Sequence, residues 1–129
     1  MKKQVVRVGA YKDFFASGVK VGDMITLSGQ VSIDGAGKTV GDGDLEAQVA
    51  QAYANVKEVL VEFGASMDDI VDEMWLVTDV KATMKNLQKL WAIRAEAYGC
   101  DPDVTQTTVE VSSLVSPDLM IEIKCIARV

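Results

Sequence analysis

Glu122 lies in the run Ile121-Glu122-Ile123-Lys124-Cys125-Ile126-Ala127, a charge in the middle of an apolar strand. By type a carboxylate is a general acid or base, and away from water it needs a partner, because an unpaired buried charge is costly. Lys124 shares its strand face two residues on, and Arg94 lies on a helix further back. Either cation would make Glu122 a structural residue. Lys124 is expected to pair with Glu122 or to lie on the solvated edge. Gln106 and Thr108, in Val104-Thr105-Gln106-Thr107-Thr108-Val109-Glu110-Val111, are a second polar pair on a strand. They either meet a ligand or are polar strand residues at a wet interface.

The chain has no histidine. That excludes the Ser-His-Asp and Cys-His arrangements, most zinc sites and any histidine acid or base. Cys100 and Cys125 are expected to be two reduced thiols rather than a disulfide framework. The net charge of −6 repels phosphate backbones, and the lysines and arginines are scattered singly. A nucleic-acid partner is therefore not expected. No apolar run approaches the roughly 18 residues that span a bilayer. The N-terminus is basic but has no apolar stretch of the signal-peptide kind, so a cytoplasmic protein without a membrane partner is the expectation.

The elements that position these residues follow from periodicity. Gln4–Val8 and Val19–Gln30 read as strands, the second folded into a hairpin at Gly22-Asp23. In 45–63, Leu45, Val49, Ala52, Tyr53, Val56, Leu60 and Phe63 recur at three- and four-residue steps, which predicts a helix. Asp44 is its N-cap and Gly64 its C′ residue. Ser66-Met67-Asp68-Asp69 reads as a short capped turn. Ile70–Thr78 is a strand apolar enough to be buried on both faces. A second helix is expected over roughly Thr83–Tyr98, with Leu87, Leu90, Trp91, Arg94 and Ala97 along one side and Gly99 closing it. Strands at Thr105–Val111 and Leu119–Arg128 complete the chain.

Strands, helix, strand, helix, strands define one α+β domain, residues 1–129, with two helices on one face of a mostly antiparallel sheet. On the last strand Ile121, Ile123, Cys125, Ala127 and Val129 should face the helices. Met120, Glu122, Lys124, Ile126 and Arg128 should face the uncovered side, where apolar residues mixed with charges suit contact with another subunit. Trp75 and Trp91 are expected in the core. Phe14 and Phe15 either cover a pocket or form a satellite cluster.

Five blocks in order carry a resemblance: Lys20-Val21-Gly22-Asp23 with Ser28-Gly29-Gln30, Phe63 to Ile70, Leu76-Val77-Thr78-Asp79, Thr107 to Val111, and Ile121 to Ala127. Nearly the whole chain resembles the RidA family, also called YjgF or L-PSP endoribonuclease-like. The resemblance implies a chorismate-mutase-like fold assembled as a homotrimer with small-molecule pockets at the subunit interfaces. It implies hydrolysis of imino or enamino acids to keto acid and ammonia, without metal or cofactor. In the deaminase branch an arginine forks onto the substrate carboxylate, a glutamate positions water and a tyrosine closes the site. By that resemblance Glu122 matches the glutamate, Gln106 stands for the arginine, Phe15 for the tyrosine, and Lys124 for a second acidic position.

Glutamine offers one neutral amide where arginine gives two charge-assisted hydrogen bonds. The sequence therefore predicts a RidA-like protein that takes a neutral, amide-like or hydroxylated ligand, with Glu122 as the catalytic candidate and Gln106, Thr108, Phe15 and Lys124 as ligand-binding candidates. The alternative is a non-catalytic binding or regulatory trimer. Ribonuclease activity is disfavoured by the charge and the lack of histidine.

Overall fold

The structure, a computed structural model, describes residues 1–129. Strands β1 (Lys3–Val6), β2 (Gly18–Val21), β3 (Met24–Leu27), β4 (Gln30–Val31), β5 (Ile70–Val77), β6 (Thr105–Glu110) and β7 (Ile121–Arg128) form one sheet in the order β1-β2-β3-β7-β5-β6, with β4 also paired to β7. Every pairing is antiparallel except β5 with β6. The expected α+β class and mostly antiparallel sheet are thus present. Gly22, at a positive φ of 60°, makes the tight turn between β2 and β3, a conformation that glycine adopts without steric cost.

Helix α1 (Leu45–Glu62) begins where Asp44 accepts a hydrogen bond from the Ala47 N–H at 3.1 Å. Such a cap is worth about 1 kcal/mol. It ends beside Gly64, whose φ of 70° releases the chain from helical geometry. The Ser66 turn forms as well, with Asp69 Oδ2 accepting from the Ser66 N–H at 2.8 Å.

The second helix differs from expectation. It starts at Val80, capped by Asp79, and breaks at Asn86 into α2 (Val80–Lys85) and α3 (Leu87–Tyr98). At the break the Ala82 carbonyl accepts from both the Asn86 side-chain amide at 2.8 Å and the Asn86 N–H at 3.2 Å, which the Thr83 carbonyl shares. No proline or glycine marks the break.

The core lies between α1, α3 and one sheet face. Ile25 and Leu27 of β3, Trp75 and Val77 of β5, and Ile121 and Ile123 of β7 are fully buried there against Val49, Val56 and Leu60. The alternation expected on β7 holds over Ile121–Arg128, but β5 is not buried on both faces. Met74 and Leu76 are only partly covered on the side away from the core. No helix is long and apolar enough to cross a membrane.

Candidate functional site

β3 and β4 both pair with β7, but between them Ser28 and Gly29 interrupt the ladder. The Glu122 side chain occupies that interruption. A Cβ built on Gly29 would collide with the Glu122 carboxylate, so any larger residue there would push that side chain from its present place. Glu122 is half-buried and takes part in none of the three ion pairs of the chain. Burial pushes its carboxyl above the ordinary carboxylate range, and the charge of Lys124 opposes that shift.

The two cations proposed for Glu122 are engaged elsewhere. The Lys124 ammonium donates to the Leu27 carbonyl across the sheet, and Arg94 is on the opposite side of the sheet with Glu73. This corrects the expectation of a Glu122–Lys124 or Glu122–Arg94 pair. Arg94 Nε donates to Glu73 Oε2 at 2.8 Å, and the hydroxyls of Tyr53 and Tyr98 each donate to Glu73 Oε1 at 2.7 Å. Trp75 Nε1 donates to the Tyr53 hydroxyl at 3.0 Å, and the Arg94 guanidinium lies 4.3 Å from the Trp91 ring centroid. Burial, and then the Glu73 charge, push both tyrosine hydroxyls far up, so they remain donors. This network satisfies a fully buried carboxylate and was not anticipated. The available signal was an arginine on the apolar side of a helix facing a strand with one buried-position glutamate.

Glu122 and Lys124 open into a cavity of about 570 Å³, within the range of small-molecule sites. Its other walls are the turn after β1, the start of β4 and the middle of α1. In that turn the Phe15 N–H donates to the Tyr11 carbonyl, and the two rings pair at a 32° tilt with centroids 5.7 Å apart. Phe15 thus lines the cavity together with Tyr11, whereas Phe14 is 80 % exposed. Tyr11 was missed. Its only sequence signal was an aromatic four residues before Phe15.

Gln106 and Thr108 do not line this cavity. They sit on β6 at the sheet edge, in register with Glu73 and Trp75. The Thr108 hydroxyl donates to Gln106 Oε1 at 3.0 Å, while Gln106 Nε2 is buried without any partner. A single chain therefore brings together Glu122, Lys124 and Phe15, and holds the Gln106–Thr108 pair apart from them. Both cysteines are free thiols, Cys100 exposed and Cys125 buried. Trp75 is fully buried and Trp91 packs on the core, as expected.

The chain thus combines an α+β sheet carrying its helices on one face with a cavity of small-molecule size beside a carboxylate seated at a glycine. The chain belongs to the RidA/YjgF family: the family model described as Endoribonuclease L-PSP matches residues 6–129. It is 32% identical over 114 residues to a RutC family protein of Saccharolobus solfataricus, covering 88% of this chain and 86% of that one. It is 31% identical over 118 residues to a 2-iminobutanoate/2-iminopropanoate deaminase of Salmonella typhimurium, covering 88% and 85%. Among solved structures, a Rid-family protein of unknown function from Yersinia pestis superposes with a TM-score of 0.86 at 26% identity, over 99% of this chain and 100% of that one.

Proposed function

We propose that the protein hydrolyses the C=N bond of a small imine, in a cavity completed by a neighbouring copy within a homotrimer. The observation that carries this reading is Glu122, a half-buried carboxylate without a partner in its own chain, facing a cavity of metabolite size. The relative named as a 2-imino acid deaminase supports the reaction class. The overall reaction is iminium plus water giving a carbonyl compound and ammonium. Water adds to the iminium carbon while Glu122 takes its proton, and a carbinolamine forms. The protonated Glu122 then returns a proton to the carbinolamine nitrogen. The C–N bond breaks, an oxygen lone pair forms the carbonyl, and the hydroxyl proton leaves with the departing ammonia as ammonium. A carboxyl lifted above its usual range is better matched to such transfers near neutral pH than an ordinary one.

Gln106 and Thr108 of the adjacent copy would close the cavity. β6 has a neighbour on one side only, and Gln106 Nε2 lacks a partner within the chain. In this reading Gln106 stands where the deaminase branch has its arginine. A hydrogen bond to a charged group is worth about 1.5–3 kcal/mol against about 0.5–1.5 for a neutral one, so carboxylate-bearing imines should be poor substrates. RNA is not the proposed substrate. The charge of −6 repels it, and the chain has no histidine.

The test is ammonia release from freshly generated 2-iminopropanoate and from an imine without a carboxylate, by the wild type, Glu122→Gln and Gln106→Arg. The wild type should be weak on 2-iminopropanoate and Gln106→Arg stronger. Glu122→Gln should lose about 100-fold or more on every imine turned over, the scale of a general base. Unchanged turnover in Glu122→Gln rejects the mechanism, and no turnover of either imine leaves a binding protein in its place.

A further inference from the structure

Within one chain, most of the side-chain donors in the wall beside Glu122 are already committed. The Ser17 hydroxyl donates to the Val8 carbonyl, and the Ser28 hydroxyl to the Ala16 carbonyl. The Gln30 amide donates to the Ser28 carbonyl. The Asn55 amide donates to the carbonyls of both Val31 and Ile33. The ammonium of Lys124, the one cation in the wall, is directed at the Leu27 carbonyl. These side chains are thus turned onto their own backbone.

The acceptors are not. Glu122 and Glu58 take part in none of the ion pairs of the chain, and Asp34 meets only the backbone N–H groups of Ala36 and Lys38. Three carboxylates against one ammonium leave the wall negative, and a concave, partly apolar site concentrates that potential. Beside it lie the paired Tyr11 and Phe15 rings, and aromatic rings attract cations over their faces. Val31, Ile33 and Val59 add apolar surface. A carboxylate entering here meets three like charges and one committed ammonium. An organic cation meets acceptors, two aromatic residues and an apolar wall.

We propose that this cavity selects a small organic cation with an apolar arm and no carboxylate. Its natural ligand class is a protonated amine or, if the hydrolytic reading above holds, the iminium of a simple amine rather than of an amino acid. Only the word iminium rests on that reading. The charge preference rests on the composition of the wall.

The test is calorimetric titration of the full-length protein with benzylammonium, benzyl alcohol and benzoate, which share a ring and differ in charge. Benzylammonium is expected to bind about tenfold or more tightly than benzyl alcohol, with benzoate weakest. Its advantage over the alcohol should narrow between about 0.05 and 0.5 M salt, as screening shortens the reach of the carboxylates. Glu122→Gln should remove most of the advantage of benzylammonium over benzyl alcohol. Benzoate binding as well as benzylammonium overturns the proposal, and so does an advantage that survives Glu122→Gln. If that variant is unfolded by circular dichroism, the salt series decides, and an advantage indifferent to salt overturns the proposal. Cation preference without imine turnover defeats the hydrolytic reading alone, whereas imine turnover with benzoate preference defeats this one alone.

Discussion

At the scale of single residues, Glu122 sits where ionisation is opposed by burial. Its folded-state pKa lies above the unfolded value, chiefly from desolvation and against the pull of Lys124. A carboxyl shifted this way contributes its stability below the unfolded pKa and loses it as pH rises through the folded one. Glutamine at 122 never ionises and escapes that loss. Glu122→Gln should therefore melt above the wild type at pH 7, with the gap closing as pH falls through the ordinary carboxylate value of 4.5. Thermal melts at pH 7 and about pH 3.5 check this, since the wild-type carboxyl is protonated at the lower pH. A gap of the same size at both would show that ionisation is not its cause. Stability gained as a proposed catalytic group is removed is the usual mark of a site held in an unfavourable state for its chemistry.

At the scale of elements, β5 is held to α1 and α3 by charge as well as by apolar packing. Glu73, Arg94, Tyr53 and Tyr98 form one hydrogen-bonded unit across these three elements. Removing one member strands the others, and breaking a buried ion pair costs about 3–5 kcal/mol. Glu73→Gln should lower stability by an amount near that range in urea denaturation. The double variant Glu73→Gln/Arg94→Met should lose clearly less than the sum of the two single variants, because no charge is then left unpaired. Additive losses would reject the view of one coupled unit. This network also shows what was legible in the sequence. Helix α1 could be read because its apolar period and both end signals agree, and β7 because alternation fixes its faces. The break at Asn86 left no period error, since three- and four-residue steps continue across it. Glu73 was hidden because its partners come from positions 20 or more residues away, which no local pattern connects. For the cavity, Glu122, Lys124 and Phe15 were found. Tyr11 was not, and the seat at Gly29 is a close approach that only three dimensions disclose.

At the scale of the whole molecule, the sheet face away from the helices carries half-covered Met74, Leu76 and Ile126, and Met24 is 43 % exposed there. If copies associate through this face and β6, light scattering at micromolar concentration should give about three times the 13.9 kDa chain mass. A monomeric mass would leave Gln106 and Thr108 with no cavity to close. The two sheet edges are not alike. β1 carries Lys3 and is flanked by Lys2 and Arg7, charges that discourage strand addition. β6 reads Thr-Gln-Thr-Thr-Val-Glu, with no lysine or arginine and with Val109 exposed. If copies associate through β6, a chain separated from them would present that strand bare, as a template for fibril growth. If copies do cover β6, diluting the protein until they separate should expose that strand, and turbidity should then follow dilution more than heating.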